Sequence, residues 1–426
     1  MASTLNKFDS CRICGSTELH DVLSLGDMPP VNSFLRHESD ATVEKKFPLA
    51  IVFCPRCTHV QTTHLLDPKD IFEDYIYFSS MSSTVVRHGQ TLAARYAKEL
   101  GLGAGDLVGE LASNDGCILK AFRETCRVYG VEPAKNIAQV ANDEGIPTLP
   151  EFFNSTTARK VRDAQGPARL IIARNVVAHV PEVVDFIRGV AHWLADDGIF
   201  HVEVPYLVEM VDKVEFDTIY HEHFSYYSVT ALDRLFREAG LALWDVEEIG
   251  LHGGSLIARG KKAGTEPTAN VTRYLEKERA EGYLTIAPLQ RFAERTRALQ
   301  TRIPEFLLSL KKGGKTIAGY GAAAKGVVLA NYCNVDKDLL TFVADRSPYK
   351  QGKWMPGVHL PVVSPDHIFE AKPDYLFVLA WNFFDEIREQ LARYETELAG
   401  KFVLPVPDPR VVATAPATAA SPETKK

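Results

Sequence analysis

No run of this 426-residue chain approaches about 18 apolar residues free of charge, so nothing in it reads as a transmembrane helix. Its start, MASTLNKFDSCRICG, lacks the apolar core of a signal peptide. Both absences point to a cytoplasmic protein with no membrane partner. Basic charge is not in excess either: 48 Lys and Arg stand against 55 Asp and Glu, for a net charge of -7. That balance argues against nucleic acid as a partner, while leaving room for a local basic pocket around a phosphate. Cysteine is sparse, at seven residues. Without an export signal these thiols should stay reduced, so paired spacing reads as metal or redox chemistry rather than disulfides. The remaining composition, 46% hydrophobic and 24% charged, is that of a soluble globular protein. At roughly 100–200 residues per domain the length allows two to four domains.

Four of the cysteines form two knuckles, Cys11-x2-Cys14 and Cys54-x2-Cys57. Tetrahedral zinc takes four thiolates at about 2.3 Å, two from each turn. The long gap between the pairs implies an inserted hairpin. Redox or free cysteines are the alternative. Cys117, Cys126 and Cys333 fall in predicted helix or strand and are expected in the core.

From residue 106 to about 260, short β-rich runs (DLVGELA, RVYGVEP, ARLIIARNVV, GIFHVEVP) alternate with stretches of helical length. Such alternation marks a parallel, doubly wound α/β sheet. LALWDVEEIGLHGGSLIARG reads as an antiparallel hairpin at its edge. Residues 267–312 read as a charged helix pair broken near Pro288 and Pro304. Strand, glycine turn and helix then recur in KTIAGYGAAAKGVVLANY, followed by strands in LLTFVADRS and PDYLFVLAWN. The expected organisation is a cysteine-bearing domain at 1–66, a Rossmann-like α/β domain at 67–265 and a smaller Rossmann-like domain at 266–409. An Ala/Thr/Pro-rich tail at 410–426 is expected to be disordered.

The first strand–turn–helix is VGELASNDGCIL, with Glu110 ending the strand and Ser113, Asn114, Asp115 and Gly116 forming the turn. A ligand packing on this backbone needs small residues there. YGVEPA places Glu132, followed by Pro133, where an acid can accept both ribose hydroxyls. The GxGxxG of a dinucleotide site is missing, which favours S-adenosylmethionine over NAD in this domain. Glu151 and Phe152, with Phe153, follow the third strand and either flank adenine or pack in the core. In ARNVVAHVP, Asn175 and His179 follow the fourth strand and project from the carboxyl ends, where ligands of open sheets lie.

EFDTIYHEHFSYYS, at 215–228, crowds acids, two histidines and three tyrosines into one segment after the fifth strand. The mixture suits proton abstraction beside a carbonyl: a histidine near pKa 7 as base, a carboxylate to orient it, tyrosine hydroxyls to donate to a developing enolate oxygen. A metal site through HxH with Asp217 or Glu222, and a purely structural cluster, are the competing readings. Further on, Gly319-x-Gly321-x-x-Ala324 has dinucleotide-fingerprint spacing, with Asp345 at the next strand end. Lys325 adds a charge aimed at phosphate. A nucleotide diphosphate fits here, either NAD or the nucleotide part of a substrate. Tyr320, Ala322 and Ala323 belong to the same turn; Arg346, Tyr349, Lys350 and Lys353 add positive charge, and Trp381 and Asn382 follow the next strand.

CxxC…CxxC, YIYFSS at 75–80, ELASNDG, RNVVAHV, YHEHFSYYS and GYGAAAKG, in this order, resemble the C-methyltransferases of unusual deoxysugar biosynthesis, such as the tetronitrose, mycarose and noviose enzymes of antibiotic pathways. The resemblance spans about residues 8–409. It implies a zinc domain, a class I methyltransferase core binding S-adenosylmethionine and a C-terminal domain binding the nucleotide of a dTDP-4-keto-deoxyhexose. It implies His223 as the base that removes the proton beside the ketone, usually at C-3, with Glu222 and Tyr220 next to it. Tyr75 or Tyr77 and His179 would then contact the sugar and its enolate. The resemblance also implies a monomer. A nucleotide-sugar oxidoreductase using NAD in the GxGxxA domain is the alternative function.

Overall fold

The computed structural model describes residues 5–67, 78–81, 83–250 and 254–413. The chain forms two compact units, one of Met1–Asp27 with Phe47–Glu294 and one of Met28–Lys46 with Arg295–Lys426. The cysteine-bearing part belongs to the first unit, and its internal segment 28–46 joins the second.

The first unit begins with short strands, β1 (Leu5–Lys7), β2 (His20–Met28), β3 (Phe47–Phe53), β4 (Val60–Thr62) and β5 (His64–Leu66). Helix α1 (Ser83–Leu100) leads into β6 (Leu107–Leu111) and β7 (Arg127–Val131). Then come α2 (Lys135–Asp143), β8 (Thr148–Leu149) and α3 (Ser155–Gln165), which starts where the Asn154 side chain accepts from two backbone N–H groups, of Thr156 and Thr157. β9 (Ala168–Arg174), α4 (Val183–Trp193) and β10 (Leu194–Pro205) follow. The sheet runs β8-β7-β6-β9-β10 in parallel, with every residue of its middle strand, β6, buried, as expected of a strand covered on both faces. The expected hairpin, β12 (Leu241–Ile249) and β13 (Ser255–Lys262), closes it antiparallel, with β12 at the edge.

The chain order reverses between β6 and β9, so a crevice opens at the carboxyl ends of these strands. The glycine turn, Glu132, Asn175 and the 215–228 segment all follow carboxyl ends of this sheet. Within that segment, β11 (Ser225–Tyr226) turns back to pair antiparallel with β4, making it an edge of the small sheet β11-β4-β3-β2.

The second unit has a sheet of order β16-β15-β14-β17-β18-β19, parallel from β16 to β18, where β14 is Ile317–Tyr320, β15 Val343–Ala344, β16 Val362–Val363, β17 Tyr375–Val378, β18 Lys401–Leu404 and β19 Arg410–Val411. Its switch point lies between β14 and β17. Pro288 sits in the first turn of the helix Ala287–Lys312, where no N–H is required, but Pro304 lies inside the helix and does not end it. Fully buried Ile303 and Leu307 flank Pro304, and their packing offsets the lost hydrogen bond. No described helix is long and apolar enough to cross a membrane.

Candidate active site

The four knuckle sulfurs lie within 4.8 Å of one another, with Cys11 Sγ 3.4 Å from Cys57 Sγ and Cys14 Sγ 3.6 Å from Cys54 Sγ. A tetrahedron with bonds of about 2.3 Å has edges of about 3.8 Å, so the set fits zinc. The Cys57 thiol donates to Cys11 and holds that thiol down to about 5, while the same bond and burial push Cys57 far up. Four thiolates this close all ionise only around a cation. Zinc in such a closed four-sulfur site is structural.

The candidate cofactor cradle lies at the ends of β6 and β7. Glu110 and Ser113 are buried, and Glu110 Oε2 and Ser113 Oγ have no hydrogen-bond partner among the described residues. Burial pushes the Glu110 carboxyl well above its usual range, against the pull of nearby Arg174. Ala112 and Asn114 are both left-handed, at φ 50° and 52°, in a turn whose strain is unusual for non-glycine residues. Gly116 has φ 71°, and a side chain there would come within 2.9 Å of Ile146. Glu132 is fixed by two amides, Asn114 N–H on Oε2 (2.9 Å) and Ala134 N–H on Oε1 (2.8 Å), with Pro133 between. Each oxygen keeps a lone pair for a hydroxyl. Burial raises this carboxyl, and the two amides oppose the rise. These acceptors and small turn residues fit the adenosyl cofactor.

The turn also holds the segment just after the YIYFSS tyrosines: Ser79 N–H donates to Asn114 Oδ1 (2.8 Å) and Ser80 N–H to Asp115 Oδ2 (3.1 Å). Tyr75 and Tyr77 themselves lie outside the described residues. Asn175, left-handed at φ 51°, donates its N–H to the Glu203 carbonyl (2.8 Å). Phe153 packs edge-on against Phe186 at 5.2 Å, in the core. Glu151 pairs with Lys160 at 3.0 Å, and the Phe152 carbonyl accepts from Thr157 Oγ1. Sequence reasoning missed the buried carboxylate Glu203 in β10, which binds Arg174 (2.8 Å), His88 (2.6 Å) and His201 (3.0 Å). Burial alone would raise it, but the two histidines and Arg174 hold it well below the usual range.

Asp217, His221, Glu222 and His223 are all buried. His223 Nδ1 lies 2.8 Å from the Thr218 carbonyl, which can only accept, so Nδ1 carries the proton and Nε2 the lone pair. Nε2 accepts from Tyr220 Oη at 2.7 Å, and the two rings lie tilted by 32° with centroids 3.9 Å apart. The His179 ring meets His223 edge-on at 4.7 Å. His221 instead turns its Nε2 to the Phe47 carbonyl at 3.2 Å. The two imidazoles of HEH thus serve different carbonyls. Among the described residues, the cysteine tetrad is the one group of three or more such side chains placed for a metal.

Burial pulls His179 and His221 down to about 4, so both are neutral at pH 7. The folded state refuses protons that the unfolded chain takes up below about pH 6.5. Stability is therefore lost as pH falls from about 6.5 towards 4, at up to about 1.4 kcal/mol per pH unit for each histidine. Urea unfolding from pH 7 to 5 should show this slope, and His221→Gln should make it shallower. An unchanged slope in that variant would remove His221 from the account.

In the second unit, Gly321 follows β14 at φ 91°, and a side chain there would come within 2.6 Å of Ala380, across the switch point. Ala322 and Ala323 complete the turn, and helix Ala324–Tyr332 starts without a side-chain cap, presenting its N–H groups. Lys350 Nζ donates to the Ala322 carbonyl (2.8 Å) and sits 5.3 Å from the Phe34 ring, its pKa lowered by burial. Lys325 Nζ lies 5.4 Å from the Trp381 ring. Buried Tyr320 has its hydroxyl pushed up to about 12. Asp345 caps Ser347 N–H (2.8 Å), Lys353 N–H donates to the Lys350 carbonyl (3.1 Å), and exposed Arg346 lies 3.8 Å from Glu386. Phe34 was not foreseen: nothing local to residues 28–46 signals that they belong with a sheet almost 300 residues later.

Three family models match along the chain: "Putative zinc binding domain" at 11–72, "Methyltransferase domain" at 89–246 and "C-methyltransferase C-terminal domain" at 250–407. The C-methyltransferase NovU of Streptomyces niveus is 38% identical over 415 residues, covering 97% of this chain and 99% of NovU. Among solved structures, magnesium protoporphyrin IX methyltransferase (ChlM) of Synechocystis, determined with bound SAM, aligns at TM-score 0.32 and 13% identity, covering 46% of this chain and 89% of ChlM. A S-adenosylmethionine-dependent methyltransferase from Clostridium acetobutylicum aligns at TM-score 0.34 and 11% identity, covering 42% of this chain and 92% of its own. With NovU matched almost end to end and the zinc, methyltransferase and C-terminal parts in one order, this chain belongs to the C-methyltransferase family, as a zinc-binding, S-adenosylmethionine-dependent methyltransferase.

Proposed function

We propose that the enzyme methylates the carbon beside the ketone, C-3, of a dTDP-4-keto-deoxyhexose, with His223 as the base. The observation that carries this reading is the tautomer of His223: Nδ1–H is committed to Thr218, which leaves a basic lone pair on Nε2 beside a tyrosine hydroxyl. Nε2 takes the proton from the carbon, and the bonding pair moves to the ketone oxygen. Tyr220 Oη, freed from Nε2 as that nitrogen is protonated, can donate to the enolate oxygen, as can neutral His179. Buried Glu222 helps to hold the imidazolium. S-adenosylmethionine supplies an electrophilic methyl, and the new C–C bond forms as the C–S bond breaks. Glu132 accepts the ribose hydroxyls, and Glu110, Ser113, Asn114, Asp115 and Gly116 line the methionine end.

The second unit holds the nucleotide diphosphate, through the N–H groups of the Gly321–Ala324 turn with Lys325 and Lys350; Arg346 and Lys353 add charge at its rim. The test is to incubate the protein with S-adenosylmethionine and a panel of dTDP-4-keto-6-deoxyhexoses and read product masses. Gain of one methyl on the sugar, stable to mild acid and alkali, is the expected result. Transfer of hydride to NAD without methyl gain would overturn the proposal.

A further inference from the structure

Residues beside the cysteine ligands reach away from the sulfurs and into the segment that carries His223. Arg12 lies between Cys11 and Cys14. Its guanidinium donates to the Phe224 carbonyl and, at 3.4 Å, to Thr62 Oγ1, and it lies over the rings of Phe8 (4.3 Å) and Phe224 (5.7 Å). Its backbone N–H donates to Gln61 Oε1 at 2.8 Å, and Gln61 Nε2 returns to the Ser10 carbonyl at 3.0 Å. From the other knuckle, His59, two residues past Cys57 and fully buried, places Nε2 3.2 Å from Ser225 Oγ.

Between these two contacts the backbone is clamped as well. Thr62 N–H donates to the Phe224 carbonyl at 3.0 Å, and β4 and β11 pair Gln61 with Ser225 and Val60 with Tyr226. On the opposite side, Phe224 N–H donates to the Ala178 carbonyl at 2.7 Å, one residue before His179. Phe224, the residue after His223, is therefore gripped by the cysteine-bearing sheet through its carbonyl and by the loop of His179 through its N–H.

Arg12 is an expensive way to fill space. Among the described residues no carboxylate pairs with it. A half-buried cation held by a carbonyl, a hydroxyl and aromatic faces, with its Nε unpartnered among the described residues, costs stability that an apolar side chain of similar length would not.

We infer that Arg12, together with His59, is a positioning residue for the methyl transfer: the two cysteine knuckles set the place of the His223 ring relative to His179 through the Phe224–Ser225 backbone. The inference rests on His223 being the base. A displacement of about 1 Å at a reacting group costs on the order of 10²-fold in rate, so a loosened tether should be read in kcat.

The experiment uses the full-length, zinc-loaded protein with Arg12→Met and Arg12→Lys. For Arg12→Met the expected result is wild-type zinc content and S-adenosylmethionine affinity, a KM for the sugar nucleotide within about twofold, and kcat lower by about 10–100-fold. Amide exchange should rise locally at 222–226, and Arg12→Lys should recover part of both. Full kcat with unchanged exchange, or exchange raised evenly through the first unit, would overturn the inference. Should Arg12→Met lose zinc or fail to fold, Ser225→Ala, which leaves both knuckles intact, decides: unchanged kcat and exchange there also overturn it. His223→Ala in the same assay separates the two ideas. Normal turnover in that variant sinks the base assignment; a dead His223→Ala beside a fully active Arg12→Met sinks the tether alone.

Discussion

His223→Ala should lower kcat by about 10²–10⁴-fold, the range that a positioned general base contributes, with the S-adenosylmethionine dissociation constant close to wild type. The separation is expected because the two sets of residues come from different strands. The proposed cofactor cradle is the turn after β6 with Glu132 after β7, whereas His223 lies in the segment after β10. Removing the imidazole deletes the Nε2 lone pair and takes one partner from the Thr218 carbonyl and from the Tyr220 hydroxyl, both local to that segment. Single-turnover methyl transfer and titration calorimetry read the two quantities independently. A variant that turned over normally would remove His223 as the base. One that lost cofactor affinity as steeply as rate would mean that the cradle and the histidine segment are not separable.

Stripping zinc with a strong chelator, or Cys54→Ser, should unfold the cysteine-bearing sheet and abolish turnover together. Structural zinc in small domains carries apparent binding free energies of about 10–16 kcal/mol at pH 7, more than a short-stranded sheet can replace by burial. The strands at stake are few: β4 and β11 have three and two residues. The loss should be localised. New protease cleavages are expected in 11–66 and near 221–226, while the parallel sheet, with β6 wholly buried, β9 without an exposed residue and β10 buried from 198 to 204, should stay resistant. Limited proteolysis with mass mapping, alongside metal content, is the measurement. Retained resistance in metal-free protein would show that the thiols pack without the ion.

How much was legible depended on whether a signal was local. The alternation around VGELA, RVYGV, ARLIIAR and GIFHVEV announced the parallel sheet because strands buried on both faces read as near-continuous apolar runs. The paired CxxC turns announced the tetrad, since each knuckle needs only four residues to place two sulfurs. In YHEHFSYY, composition suggested a chemistry but carried no geometry: alternation would put His221 and His223 on one side, and only the fold shows one imidazole on Phe47 and the other on Thr218. Pro304 misled because the breaking rule is local and the compensation, from Ile303 and Leu307, is tertiary. Arg12 was hidden because a residue inside CxxC looks like exposed turn filler, and Glu203 because a single acid in an apolar strand carries no periodic signal. The alliance of 28–46 with the C-terminal sheet is written in contacts alone, such as Glu44 accepting from Gly357 N–H (2.9 Å) and His359 Nε2 (3.0 Å).

That last feature constrains how the gene can be cut and recombined. The polypeptide passes from one unit to the other at 27/28, at 46/47 and at 294/295, so no single crossover exchanges a whole unit with a relative. A chimaera joined only near 294 would pair one parent's Glu44 and Phe34 with the other's Gly357, His359 and Lys350. Inheritance of the proposed sugar-nucleotide preference as a module would therefore require an N-terminal segment of 19 residues to travel with a C-terminal part, 295–426, that it does not adjoin, and drift in either piece is felt by the other.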